Sequence, residues 1–139
     1  MINISIVSEF NVIKDLLRSA LKSQSNIDNV TIFNDTTLSV IGSTFKLNQC
    51  SHRPDIIVYD LDSLLKTPKY KLAKMLDFVR NKNISKCGIS SLIVVTSETQ
   101  LKRLNYNIGL PSDRIILKPF TFRQITYVVN NVWTSNKTK

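Results

Sequence analysis

The chain has 139 residues, 42% of them hydrophobic and 21% charged. That is the balance of one soluble globular domain, long enough to bury a core without disulfide or metal staples. The formal net charge is +9 at pH 7, yet the basic residues are scattered along Lys66, Lys69, Lys71 and Lys74, then Arg80, Lys82 and Lys86, then Lys102 and Arg103, then Lys137 and Lys139. With no compact basic run, the charge reads as a lysine-rich solvated surface rather than a nucleic-acid groove, although it favours attraction to an acidic partner or to DNA.

No apolar run approaches the roughly 20 residues that cross a bilayer. The segment Met1 to Val7 lacks a basic stretch and a small-residue cleavage site, so it is not read as a signal peptide. No membrane partner and a cytoplasmic location are the expectations. Cys50 and Cys87 share no motif spacing and read as two reduced thiols. His52 sits in a polar stretch with no second ligand type in view.

In chain order, Ile4 to Val7 is an apolar strand. Val12, Ile13, Leu16, Leu17, Ala20 and Leu21 recur at helical spacing and predict one apolar face of an amphipathic helix. Asn29 to Phe33 is a second strand. The stretch 35–48 is ambiguous: Leu38, Ile41 and Phe45 fit a helix, whereas its hydroxyl residues and Gly42 weaken one. Pro54-Asp55-Ile56-Ile57-Val58-Tyr59-Asp60 is a third strand whose apolar run does not alternate, as in a central parallel strand covered on both faces.

Leu72, Met75, Leu76 and Val79 form the next helical stripe. Ser91 to Thr96 is a fourth strand. Leu101, Leu104 and Ile108 predict a short helix closed by Gly109 and stopped by Pro111. Ser97-Glu98-Thr99-Gln100 is a capping-box pattern at its start. Arg114 to Leu117 is a fifth strand, ended by Lys118-Pro119. Thr121-Phe122-Arg123-Gln124 is a second capping box, opening a last helix that buries Phe122, Ile125, Val129, Val132 and Trp133. The tail from Ser135 to Lys139 reads as frayed.

Strands alternating with helices predict an α/β fold: a doubly wound, five-stranded parallel sheet of flavodoxin-like order 2-1-3-4-5, with helices on both faces. One domain is expected over 1–135, with 136–139 as a flexible tail or the start of a linker. In such a sheet every strand delivers its last residues to one edge, where ligands bind. Here that edge receives Ser8 and Glu9, Asp60 and Asp62, Thr96 and Ser97, and Lys118.

These strand ends, in the order Ile6-Val7-Ser8-Glu9, Pro54-Asp55-Ile56-Ile57-Val58-Tyr59-Asp60, Leu92-Ile93-Val94-Val95-Thr96-Ser97 and Ile116-Leu117-Lys118-Pro119-Phe120, make the chain resemble the receiver domain of bacterial two-component response regulators. The resemblance implies a non-enzymatic signalling domain that takes a phosphoryl group on Asp60 from a histidine kinase or phosphotransfer protein. It implies Mg²⁺ held by Glu9, Asp60 and the backbone carbonyl of Asp62. Thr96 matches the hydroxyl that bonds the phosphoryl oxygen and rearranges on activation. Lys118 matches the ammonium that pairs with the acceptor. Such roles agree with the oxygen ligands that Mg²⁺ prefers and with the charge neutralisation that phosphoryl transfer needs.

Three positions depart from the family's pattern. Ser8 stands where one of two acids is usual, which weakens Mg²⁺ binding. Ile115 replaces the aromatic that reports the movement of the strand-four hydroxyl. Ser97 adds a hydroxyl where alanine or glycine is usual. They motivate an alternative: a pseudo-receiver acting as a phosphorylation-independent docking or dimerisation module, homodimeric through the last strand and helix, or the first part of a DNA-binding regulator. No helix-turn-helix segment follows the last helix, so nucleic acid enters only through an output domain absent from this chain. A nucleotide- or flavin-binding enzyme is disfavoured, since none of the three glycines lies in a strand-to-helix turn.

Overall fold

The computed structural model describes residues 2–33, 54–63, 69–70, 72–74, 76 and 91–137. The ambiguous stretch 35–48, the two cysteines, His52, Met75 and Val79 lie outside the described residues. Five strands run Ile2–Val7 (β1), Ile27–Phe33 (β2), Ile56–Asp60 (β3), Ser91–Thr96 (β4) and Ile115–Leu117 (β5). The described helices are Asn11–Lys22 (α1), Glu98–Arg103 (α2) and Phe122–Lys137 (α3), with further helical residues among 69–76. The sheet is parallel throughout, in the order β2-β1-β3-β4-β5, as the alternation of elements predicts.

The unbroken apolar runs are explained by the two cores. Ile4 and Ile6 of β1, Ile56 and Val58 of β3, and Ile93 and Val95 of β4 pack with Leu17, Ala20 and Leu21 of α1 and Ile125, Val129 and Val132 of α3. The alternate residues Val7, Ile57, Tyr59, Leu92 and Val94 face the other way, against Leu72, Leu76, Leu101, Leu104 and Ile108. Period-two alternation therefore carries apolar side chains to both faces. Each fully buried isoleucine contributes roughly 1.5–3 kcal/mol relative to an exposed one.

Three apolar positions differ from the sequence expectation. Val12 is 70% exposed and Leu16 39%, because the stripe on α1 is wider than the face that meets the sheet. Only Leu17, Ala20 and Leu21 of that stripe are fully covered, with Ile13 on the margin. Phe122 is 47% exposed at the first residue of α3, where no preceding helical turn shields it.

The helix after β4 also ends earlier than Gly109. Asn105 and Tyr106 take left-handed backbone angles, φ 53° and 57°, and the Tyr106 amide bonds back to the Leu101 carbonyl at 2.8 Å, which turns the chain off α2. Gly109, at φ 79°, lies in the following loop, where an added Cβ would stand 3.2 Å from Leu76 Cδ1. At the other end of the chain α3 runs through Lys137, beyond the start of the expected frayed tail.

Candidate functional site

Sheet register brings the strand ends together. Val7 pairs with Tyr59, Asp60 with Val95, and Thr96 with Leu117. One residue past each strand, Ser8 therefore lies beside Asp60, and Lys118 lies beyond Thr96, whose carbonyl accepts from the Lys118 amide at 2.9 Å. Asp62 sits in a short 3₁₀ turn, Leu61–Ser63, that leaves β3 at the same edge.

Asp60 is fully buried, and both its carboxylate oxygens meet protein donors. Lys118 Nζ lies 3.0 Å from Oδ1. The Asp62 amide donates to the same oxygen at 3.1 Å. Ser8 Oγ donates to Oδ2 at 2.8 Å. Ser8 Oγ in turn accepts from the Phe10 amide at 3.1 Å, one residue before α1 begins.

Asp62 is engaged through its side chain, not only its backbone. Its Oδ2 lies 3.0 Å from Lys118 Nζ. Its Oδ1 accepts from Thr96 Oγ1 at 3.2 Å, from the Ser97 amide at 3.1 Å and from Ser97 Oγ at 3.0 Å. Burial pushes the Asp62 carboxyl up, but Lys118 and the Ser97 amide and hydroxyl outweigh it and hold the group below its ordinary value. One ammonium thus bridges two carboxylates, and its cation also stands 5.4 Å from the centroid of the Phe10 ring.

The structure therefore gathers Asp60, Asp62, Thr96 and Lys118, as their strand-end positions predict. Glu9 has an exposed side chain, while its amide donates to Ser63 Oγ at 2.9 Å. Burial, and secondarily the Glu9 charge, push the Tyr59 hydroxyl well above its usual range. Among the described residues, no three side chains of His, Cys, Asp or Glu form a group that holds a metal ion. As arranged, the oxygens of Asp60 and Asp62 suit an ammonium and neutral donors. Three donors take three of the about four lone-pair sites on Asp60, and the remaining one is on Oδ2.

Sequence reasoning missed three contacts: the Ser8 bond to Asp60, the capture of the Asp62 side chain and the anchoring role of Ser63. One signal was present, an Asp-x-Asp at a strand end facing a Thr-Ser pair at the next. Only half of the Ser97 capping box forms. Ser97 Oγ accepts from the Gln100 amide at 3.2 Å, but the Gln100 side chain donates to the Leu61 carbonyl at 2.7 Å. Asp62 takes the Ser97 amide that Gln100 was expected to reach.

No family model and no curated protein matches the sequence. Solved structures do match. A response regulator receiver domain protein from Clostridium thermocellum superposes with a TM-score of 0.70 at 15% identity, over 99% of this chain and 98% of that one. The receiver domain of a response regulator from Geobacillus stearothermophilus gives 0.65 at 18% identity, over 100% of each chain. A chemotaxis response regulator of Vibrio cholerae gives 0.66 at 16% identity, over 95% and 98%. The chain has the receiver fold.

Proposed function

We propose that this chain is a signalling receiver that works as a phosphorylation-independent docking module. The complete burial of Asp60 carries the reading. A nucleophilic carboxylate needs an oxygen open to the incoming phosphorus, aligned with the leaving group. Asp60 is sealed from solvent, and three donors already meet its oxygens: Ser8 at Oδ2, and Lys118 and the Asp62 amide at Oδ1. The serine that replaces an acid thus supplies a donor to Asp60 where the family pattern has a carboxylate. In this reading Lys118 provides the compensating positive charge in place of Mg²⁺. The domain is not an enzyme. Its partners are a histidine kinase or phosphotransfer protein, and a second copy met through the last strand and helix. Leu117 of β5 and Phe122 and Tyr127 of α3 are exposed there.

A second reading is favoured by the Lys118–Asp60 contact at 3.0 Å, which fits an acceptor and its counter-ion. Asp60 then accepts a phosphoryl group with Thr96 and Lys118 as the switching pair. Glu9, Asp60 and Asp62 hold Mg²⁺, which would supply charge neutralisation at the phosphoryl oxygens.

The two readings separate on one measurement. The protein is incubated with Mg²⁺ and acetyl phosphate and its intact mass is read. An unchanged mass is expected. A labile phosphate adduct that Asp60→Asn abolishes would overturn the docking reading and establish the second.

A further inference from the structure

The basic residues that look scattered along the chain are not spread evenly over the fold. The connection between β3 and β4, residues 64–90, holds seven of the 19 lysines and arginines but one of the ten acidic residues. Its described residues Leu72 and Leu76 pack with Leu101, Leu104 and Ile108, so they lie on the same side of the sheet as α2. That side exposes Lys69 and Lys74, and Lys102 and Arg103 in the last turn of α2. Among the described residues 69–76 and 98–109, Glu98 is the one acid, and the Tyr106 hydroxyl donates to it at 2.7 Å. Cations gathered in this way favour a polyanion that neutralises them.

Two tyrosines stand among these cations. Tyr70 is 63% exposed, and Lys74 Nζ lies 5.4 Å from its ring centroid. Tyr106 is 57% exposed and follows α2 at φ 57°, a left-handed angle that a bulky residue seldom takes. Its bond to Glu98 anchors the ring at the surface. Each tyrosine is next in sequence to a wall residue of one cleft of about 230 Å³, lined by Lys69, Leu72 and Leu76 on the helical side and by Asn107 and Ile108 on the loop side. Apart from one ammonium and one side-chain amide, these walls are apolar. An acidic protein segment would use the lysines alone. Flat bases use the rings and the apolar cleft as well, because every base has a face that stacks.

We propose that this side of the domain, with Lys69, Tyr70, Lys74, Lys102, Tyr106 and Asn107, binds single-stranded nucleic acid. The cations meet phosphates and the tyrosines stack on bases. One base enters the cleft, where the Asn107 amide bonds its edge. A double helix offers phosphates but no open base faces, so it engages the cations alone and binds more weakly. The site uses neither Asp60 nor the exposed surface of β5 and α3, and it stands whether or not the docking reading holds.

The test follows the fluorescence anisotropy of labelled oligothymidylate and oligouridylate as the full chain is added, starting at about 50 mM salt. Both should bind, with a log–log salt slope of about −2 to −3 for three or four cations. Tighter binding of one of them identifies the preferred sugar and supports the proposal. Lys69→Gln with Lys74→Gln should weaken binding about tenfold or more and reduce the slope by about 1.4. Tyr70→Ala should weaken it about fivefold or more at an unchanged slope. Arg18→Gln with Lys22→Gln removes the same charge from exposed positions of α1, on the other side of the sheet, and should leave binding unchanged. An equal loss in that α1 variant would assign binding to general charge and overturn the proposal. Displacement by polyglutamate at equal charge concentration would point to an acidic protein segment and overturn it too. No loss in Tyr70→Ala, or no binding of either oligonucleotide, has the same consequence. If a variant does not fold, the wild type decides: the Asn107 and Ile108 amide resonances should shift on addition of oligothymidylate, and their staying in place overturns the proposal.

Discussion

Asp60 and Asp62 stand two residues apart and share one ammonium, yet they are built into opposite halves of the edge. Asp60 ends a central strand, is fully buried, and faces Ser8 across the β1–β3 pair. Asp62 sits on a turn, is partly open, and reaches toward Thr96 and Ser97 at the end of β4. The same residue type thus has two physical roles. A carboxylate sealed in low dielectric makes its counter-ion a matter of stability. A carboxylate at the rim is screened, and its donors remain available for exchange.

The largest expected effect strikes the element common to both. Lys118→Met removes the ammonium from two carboxylates at once and leaves Asp60 buried without a cation. Loss of one partner of a buried pair costs about 3–5 kcal/mol, read as a lower urea midpoint at neutral pH. Adding Asp60→Asn should recover a substantial part of the loss, because the uncompensated charge is gone. A loss under about 1 kcal/mol, the range of surface pairs, would mean that Asp60 is not sealed and that the contrast fails.

Ser8→Ala acts on the Asp60 half alone. It deletes the donor to Oδ2 and the acceptor for the Phe10 amide at the entry to α1. Leaving a buried carboxylate oxygen unmatched costs about 1–3 kcal/mol. The same variant should leave the Ser97 amide resonance in place, since the Asp62 carboxylate is held by Thr96, Ser97 and Lys118. A large shift there would show the two halves to be one coupled unit.

These contrasts bear on what a sequence reveals. The sheet was legible because Ile56 to Val58 and Leu92 to Val95 are short, mostly β-branched apolar runs without alternation, as in strands covered on both faces. Strand ends were legible too, since a parallel sheet sends Asp60, Thr96 and Lys118 to one edge whatever their side chains do. Rotamers and competition between donors were not legible. Gln100 fits a capping box by spacing, yet it bonds Leu61, because the Asp62 carboxylate is the stronger acceptor for the Ser97 amide. Val12 and Leu16 fit the apolar stripe of α1, yet the sheet covers only its centre. Spacing gives position, while the choice among partners depends on the third dimension.

Ser97→Ala tests the Asp62 half. It removes one donor to Asp62 and the acceptor for the Gln100 amide that caps α2. Loss of a serine cap costs about 1 kcal/mol, and a rim hydrogen bond adds little. The urea midpoint should fall less than in Ser8→Ala. A larger fall would place more of the stability at the rim than its exposure suggests.

The smallest effect is expected from pH, and it separates charge from shape at Asp62. Its carboxyl is held below the ordinary value by Lys118 and Ser97 despite burial. In the acid range the unfolded chain therefore binds more protons at this site than the folded one, and stability rises with pH. The contribution is fully present above the unfolded value of about 3.9 and is lost as pH falls through the lower folded value. Asp62→Asn keeps the size but cannot ionise. Its deficit relative to wild type should be widest at neutral pH and should close below pH 4, with Asp60 and Lys118 intact in both proteins. Added salt should narrow the neutral-pH deficit, since the rim is screened. A deficit that is the same at pH 3 and pH 7 would mean that Asp62 holds the edge by hydrogen-bond geometry alone.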